Sequence, residues 1–192
     1  MESDGLRKWW MGYQARDWAL LSSLVAACMA TRLVFFVGIG TNDDLAYLHH
    51  ARSLANGVNV FAAGGSQPAF RIGMVFPLSV LCRLFGYREA IFSAYPVVCS
   101  MVTCAALYMT GRILWGQRGG LLAALLWIVY PLQIVFDTQL SPSNQHATCV
   151  ALSILCLLVA HRRAQRSDGR RWDVPVLMAL SGAFLGIAWM VN

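Results

Sequence analysis

Apolar residues come in long runs along this chain, separated by short polar clusters, and show neither strict alternation nor a single amphipathic stripe. Trp18 to Gly40, Ala90 to Leu114, Gly120 to Phe136 and Val174 to Val191 approach the roughly 20 residues that a bilayer core demands of a spanning helix. Ala147 to Ala160 is a shorter fifth run, extended by polar neighbours from Pro142. Gly73 to Phe85 has 13 residues and carries Arg83, which predicts an interfacial or re-entrant helix. The pattern predicts an all-α integral membrane protein with about five transmembrane helices plus outer-face juxtamembrane helices.

Composition agrees, with 58% hydrophobic and 12% charged residues and a mean hydropathy of +0.56. Charge then sets the number of crossings. With five spans the N-terminus (Arg7, Lys8, Arg16), the Arg112/Arg118 turn and the Arg162, Arg163, Arg166, Arg170, Arg171 loop share one side, which collects ten of the fifteen basic residues. The positive-inside rule makes that side cytoplasmic, and counting Gly73 to Phe85 as a span would send the five-arginine loop outside. Trp9, Trp10, Trp18, Trp115 and Trp172 then fall at the inner interface. The +6 charge reflects loops facing anionic lipid and does not argue for nucleic acid. The domain reading is a cytoplasmic segment 1–17 followed by a transmembrane domain 18–192, with an outer loop 41–72 and an interfacial helix 73–86. The last run stops at Asn192 without a polar tail, which reads as the interruption of a longer protein. The six cysteines lie in apolar segments without metal-like spacing and read as small core residues.

Candidate chemistry concentrates at the outer end of the first run, in Asn42-Asp43-Asp44-Leu45-Ala46-Tyr47. Of nine acidic residues only Asp43, Asp44, Glu89 and Asp137 fall outside. Residues 43–56 read as a helix capped by Asn42 or Asp43 and stopped at Asn56-Gly57, with Asp43, Tyr47, His50 and Leu54 on one face. Adjacent helical residues point apart, so Asp43 and Asp44 cannot form a face-to-face dyad, and His49 and His50 diverge in the same way. Glu89 reads as a surface partner of Arg88. Arg32, Arg52, Arg71, Arg83 and Arg88 sit at the outer side against the charge rule, so an anionic ligand is a candidate reason for them. Arg32 lies within the first span, roughly 12 Å of helix from its outer end, where it either snorkels or serves a function.

The run Asp43-Asp44-x-x-Tyr47, continued by Ala51-Arg52 and Asn56-Gly57, resembles the first-loop pattern of the GT-C glycosyltransferases. The nearest groups are the protein O-mannosyltransferases, the aminoarabinose transferases of lipid A and the rhizobial galacturonosyltransferase-like proteins. Arg71-x-Gly73-x-x-x-Pro77-Leu78, Leu84-Phe85-Gly86, the Gly111-to-Ala124 run with Gly116, Arg118 and Gly120, and Tyr130-Pro131-Leu132 extend the likeness from residue 31 onward. The resemblance implies a GT-C-like fold in a bacterial inner membrane and transfer of a sugar from a polyprenyl-phosphate donor lipid to a glycan, lipid or protein acceptor at the outer face.

On that footing Asp43 is the expected catalytic carboxylate with Asp44 as helper, and Arg32, Tyr47, His50, Arg71, Arg83 and Arg88 are expected to bind substrate. A divalent cation is a candidate cofactor with no ligand set identified. Relatives often carry a further acid after the third span in a Thr-x-Leu-x-Pro-Asp/Glu context. Here Thr138-Gln139-Leu140-Ser141-Pro142 is followed by Ser143, which leaves Asp137 as the candidate second acid. The competing expectation is a truncated or degenerate non-catalytic scaffold of the same fold. A transporter fits less well, because the charges cluster in one outer loop and not at mid-membrane.

Overall fold

The computed structural model describes residues 15–40, 42–58, 71–165 and 173–191, and the regular structure among them is all helical. The basic N-terminus with Trp9 and Trp10, the remainder of the 41–72 loop, and Arg166, Arg170, Arg171 and Trp172 lie outside the described residues. The elements are α1 (Ala15–Val34), α2 (Asn42–Ala55), α3 (Ile72–Phe85), α4 (Glu89–Val129), α5 (Pro131–Phe136), α6 (Pro142–Gln165) and α7 (Asp173–Val191). Helices α1, α4, α6 and α7 are long and apolar enough to cross a membrane. Helix α3, at 14 residues, spans only about 21 Å against a hydrocarbon core of about 30 Å.

The 41 residues of α4 are a hairpin of two arms, 89–115 and 117–129, which meet at Gly116 with φ 74° and ψ −170°. That left-handed backbone conformation is open to glycine and closed to most other residues. The arms then run antiparallel in close contact. A Cβ on Gly120 would stand 2.6 Å from the Tyr108 carbonyl, one on Gly111 would stand 2.7 Å from that of Gly119, and Trp127 Nε1 donates to Ser100 Oγ at 3.1 Å. Facing positions rise in number on one arm as they fall on the other, so the glycines of the 111–120 run are the contact surface of a tight helical turn. The expected run from Gly120 to Phe136 divides at Tyr130, because Pro131 cannot continue the hydrogen-bond ladder and instead opens α5.

Polar contacts fix the two ends of the bundle. At one end Arg112 pairs with Asp17 at 2.7 Å, Arg163 with Asp173 at 2.6 Å, and Arg162 Nη2 donates to the Ile113 carbonyl. At the other end Gly73 packs against Met190 and Val191, and Gln145 Nε2 donates to the Gly73 carbonyl at 2.5 Å. The α1 helix, the two arms, α6 and α7 therefore alternate in direction, with residue 15 at the basic end and residue 191 at the opposite one. Two buried clusters hold this arrangement. Leu21, Leu24, Cys28, Cys104, Tyr108, Ala124 and Ile128 join α1 to the hairpin, while Tyr47, Leu48, Met74, Leu78, Phe92 and Leu140 seat α2 and α3 on the end away from the arginine-rich connection. All six cysteines are free, five of them buried.

Candidate functional site

The connection from α1 to α2 carries the acidic pair, and the two carboxylates diverge as expected of helical neighbours. Asp43 is exposed, while Asp44 is 2% exposed and its Oδ2 accepts the Gly40 N–H at 3.2 Å, tying the connection to the first turn of α2. The helix starts at Asn42, so Asp43 lies inside the first turn and not at the cap position, where a carboxylate still meets the positive end of the helix dipole. The inward face of α2 consists of Asp44, Tyr47, Leu48 and Ala51. It is offset from the expected Asp43, Tyr47, His50, Leu54 face, because Tyr47 and Leu48 pack on α3 and turn Asp43 outward.

Tyr47 links the acids to the first cation. Its ring is 1% exposed, its hydroxyl accepts a bond from Arg71 Nη1, and the Arg71 guanidinium lies 6.0 Å from the ring centroid. Burial raises the Tyr47 pKa, with Arg71 opposing and Asp43 and Asp44 reinforcing the rise, so the side chain stays a neutral phenol. Asp43, Tyr47 and Arg71 thus place a carboxylate, a hydroxyl and a guanidinium around one end of α2. His50 lies one turn further on, half-buried, with its pKa lowered first by burial and then by His49, whose ring stands 5.8 Å away.

Arg32 and Asp137 form a group of their own. Both are 0% exposed, and they pair at 2.7 Å through Arg32 Nη2. Arg32 Nε also donates to Asp137 Oδ2 at 3.0 Å and to Ser100 Oγ at 3.1 Å, while the Ser100 hydroxyl donates to the same carboxylate oxygen at 2.5 Å. The remaining arginine bonds reach two backbone carbonyls, Trp127 at 3.0 Å and Ile128 at 2.7 Å. Within a helix the Trp127 carbonyl would accept from residue 131, but Pro131 has no N–H, so Arg32 supplies the missing donor from another helix. The expectation that Arg32 reaches a substrate phosphate meets a guanidinium already engaged with a carboxylate, a hydroxyl and two carbonyls. Asp137, the candidate second acid, is directed at Arg32 with Gln133 Nε2 on its other oxygen at 2.7 Å.

The remaining outer arginines gather elsewhere. Arg83 Nε donates to the Ala55 carbonyl at 2.9 Å, and the Arg52 guanidinium lies 5.1 Å from the Tyr87 ring centroid, with Arg88 next in sequence. Twelve residues of α3 separate Arg83 from Arg71, about 18 Å of helix, so one phosphate cannot engage both. The expected Arg88–Glu89 ion pair is absent among the described residues. Among the described residues no three His, Cys, Asp or Glu side chains stand together as a metal site, so the candidate cation finds no ligand set there. An apolar groove of about 410 Å³ runs between α1 and the first arm of α4, lined by Met29, Leu33, Phe36, Ala94, Val98 and their neighbours.

These features define a multi-pass, all-helical integral membrane protein and are consistent with the GT-C type. The chain belongs to the dolichyl-phosphate-mannose-protein mannosyltransferase family, whose model matches residues 72–191. Family membership implies glycosyl transfer that depends on a polyprenyl-phosphate sugar, with a lipid-linked donor and an acceptor. The matched segment holds Arg83, Arg88 and Asp137 and begins just after Arg71, whereas Asp43, Asp44 and Tyr47 precede it. Comparison with curated proteins gave no match, and neither did comparison with solved structures.

Sequence reading did not single out Ser100, Trp127, Asn144 or Gln145. Two of the prolines carried a usable signal, since each removes a donor that some other side chain must replace. Pro131 leaves the Trp127 carbonyl to Arg32, and Pro77 leaves the Gly73 carbonyl to Gln145.

Proposed function

We propose that the end of the bundle bearing Asp43, Tyr47 and Arg71 is the reaction centre of a transferase. It would move a sugar from a polyprenyl-phosphate carrier to an acceptor at the outer face of a bacterial inner membrane, with the N-terminus cytoplasmic. The observation that carries this reading is the exposed Asp43 carboxylate one helical turn from Tyr47, whose hydroxyl makes a half-buried contact with Arg71. In the reaction the acceptor oxygen bonds to the anomeric carbon as the bond from that carbon to the carrier's phosphate oxygen breaks. The acceptor proton passes to Asp43, and the bonding pair leaves on the phosphate, whose charge Arg71 balances. Arginine suits this task because its planar fork makes charge-assisted bonds to phosphate oxygens. The groove beside α1 supplies an apolar surface for the carrier's hydrocarbon. A scaffold of the same fold without activity is the alternative, favoured by a family match that begins beyond the acidic pair.

Reconstituted protein supplied with polyprenyl-phosphate mannose, the kind of donor the family's description names, distinguishes the two. Asp43→Asn is nearly isosteric and loses only the charge at an exposed first-turn position, so stability is expected to change by no more than the ~1 kcal/mol of a helix-dipole contact. Sugar transfer is expected to fall on the order of 10² to 10⁴-fold. A folded Asp43→Asn protein that transfers sugar at the parental rate would leave the scaffold reading standing and this one refuted.

A further inference from the structure

We propose that Arg52, Arg83 and Arg88, with the outward face of α3, form a binding site for an anionic phospholipid, separate from the Arg71 end of the same helix. The first support is charge. Each of the three ion pairs among the described residues lies elsewhere, joining Arg32 to Asp137, Arg112 to Asp17 and Arg163 to Asp173. Arg52, Arg83 and Arg88 are exposed and have no carboxylate partner among the described residues. They lie at the same end of α3, since Arg83 bonds the last residue of α2, Arg52 lies one turn earlier on that helix over Tyr87, and Arg88 follows Tyr87 in the chain.

The second support is the surface beside them. Helix α3 buries Met74, Val75, Leu78 and Cys82 against α2 and the bundle, yet its other side is also apolar. Ile72, Phe76, Val80 and Leu84 recur every four residues and are exposed, Leu84 at 69%, and Phe85 and Tyr87 extend the stripe to the arginines. A helix too short to span, with one face in the core and an apolar face outward, lies along the boundary of the bilayer. Guanidinium groups at the end of such a stripe sit at headgroup depth, with the stripe's exposed side chains directed into the acyl boundary. Arg83 spends one of its five N–H donors on Ala55, and the rest of its fork, with Arg52 and Arg88, matches a phosphate carrying net negative charge. The ~18 Å of α3 between Arg71 and Arg83 separates this lipid from a carrier phosphate at Arg71, so the proposal stands or falls independently of the glycosyl-transfer reading.

The test uses the full chain in nonionic detergent micelles, titrated with fluorescently labelled phosphatidylglycerol and, as control, labelled phosphatidylcholine. Near a membrane surface each arginine contributes enough that its removal weakens anionic-lipid binding about fivefold. Arg88→Gln is therefore expected to lower phosphatidylglycerol affinity about fivefold, and Arg83→Gln with Arg88→Gln about thirtyfold. Arg88 makes no side-chain cap bond, so the single variant is expected to melt like the parent and keeps the test valid if the double variant misfolds. Arg71→Gln is expected to bind phosphatidylglycerol like the parent. The proposal is overturned by parental affinity in Arg88→Gln, by phosphatidylcholine binding equally well, by inorganic phosphate displacing the labelled lipid, or by Arg71→Gln causing the same loss.

Discussion

Removing the Asp137 charge leaves Arg32 cationic at 0% exposure inside the bundle, where its other contacts are neutral oxygens. Breaking a buried ion pair from one side costs about 3–5 kcal/mol, most of it from the stranded charge. Asp137→Asn is nearly isosteric and keeps an acceptor, so its effect isolates charge from shape. Adding Arg32→Met removes the stranded charge and leaves the Trp127 and Ile128 carbonyls without their donor. Hydrogen bonds between helices within membranes are worth about 0.6 kcal/mol on average, so these two carbonyls cost roughly 1 kcal/mol together. The double variant is thus expected to be more stable than Asp137→Asn alone by about 2 kcal/mol or more, although it carries more changes. Unfolding of both proteins and the parent in mixed micelles, followed by tryptophan emission, measures the order directly. A double variant no more stable than Asp137→Asn would refute the reasoning. The network would then be held by hydrogen bonding and packing, with no weight on charge.

Three further outcomes follow from the geometry. Gly120→Ala puts a methyl group 2.6 Å from the Tyr108 backbone carbonyl and is expected to lower stability by about 1–3 kcal/mol in the same unfolding assay, whereas Gly182→Ala, with nothing within 4 Å, is expected to be neutral or slightly stabilising. The pKa of His50 is lowered from 6.5 by burial, so the folded state favours the neutral ring; its contribution is complete above pH 6.5 and is lost as pH falls through the lowered value. Melting temperature should therefore drop on acidification below 6.5, and His50→Gln should flatten that part of the profile. A cysteine at position 165 in a cysteine-free background is expected to react with impermeant reagents only from the cytoplasmic side. Labelling from the outer side would reverse the proposed orientation.

The all-helical membrane character and the separate short apolar helix at 72–85 were legible because they depend on run length, a local property of the sequence. The turn between the two arms was legible in outline from the break between the apolar runs 90–114 and 120–136, although only coordinates show Gly120 meeting Tyr108 across it. The site was legible to a lesser degree. The divergence of Asp43 and Asp44 follows from helical geometry alone, but which of them faces inward depends on how Tyr47 and Leu48 pack against α3, a contact across a sequence gap of more than 20 residues.

The Arg32–Asp137 pair was the least accessible feature, since its partners are 105 positions apart and each has a plausible separate use at the outer face. Pro131 is the local clue, because a proline at a helix break exposes a carbonyl that lipid cannot satisfy. Once Arg32 fills that need, a carboxylate must follow it into the bundle, and Asp137 at the end of α5 is placed to do so. The next residue, Thr138, receives the Val37 N–H at 3.4 Å, so the pair also steadies the chain that leads from α1 to Asp43. An arginine and an acid that look like separate substrate ligands in the sequence thus form one internal anchor, and the reaction centre proposed above rests on Asp43, Tyr47 and Arg71 instead.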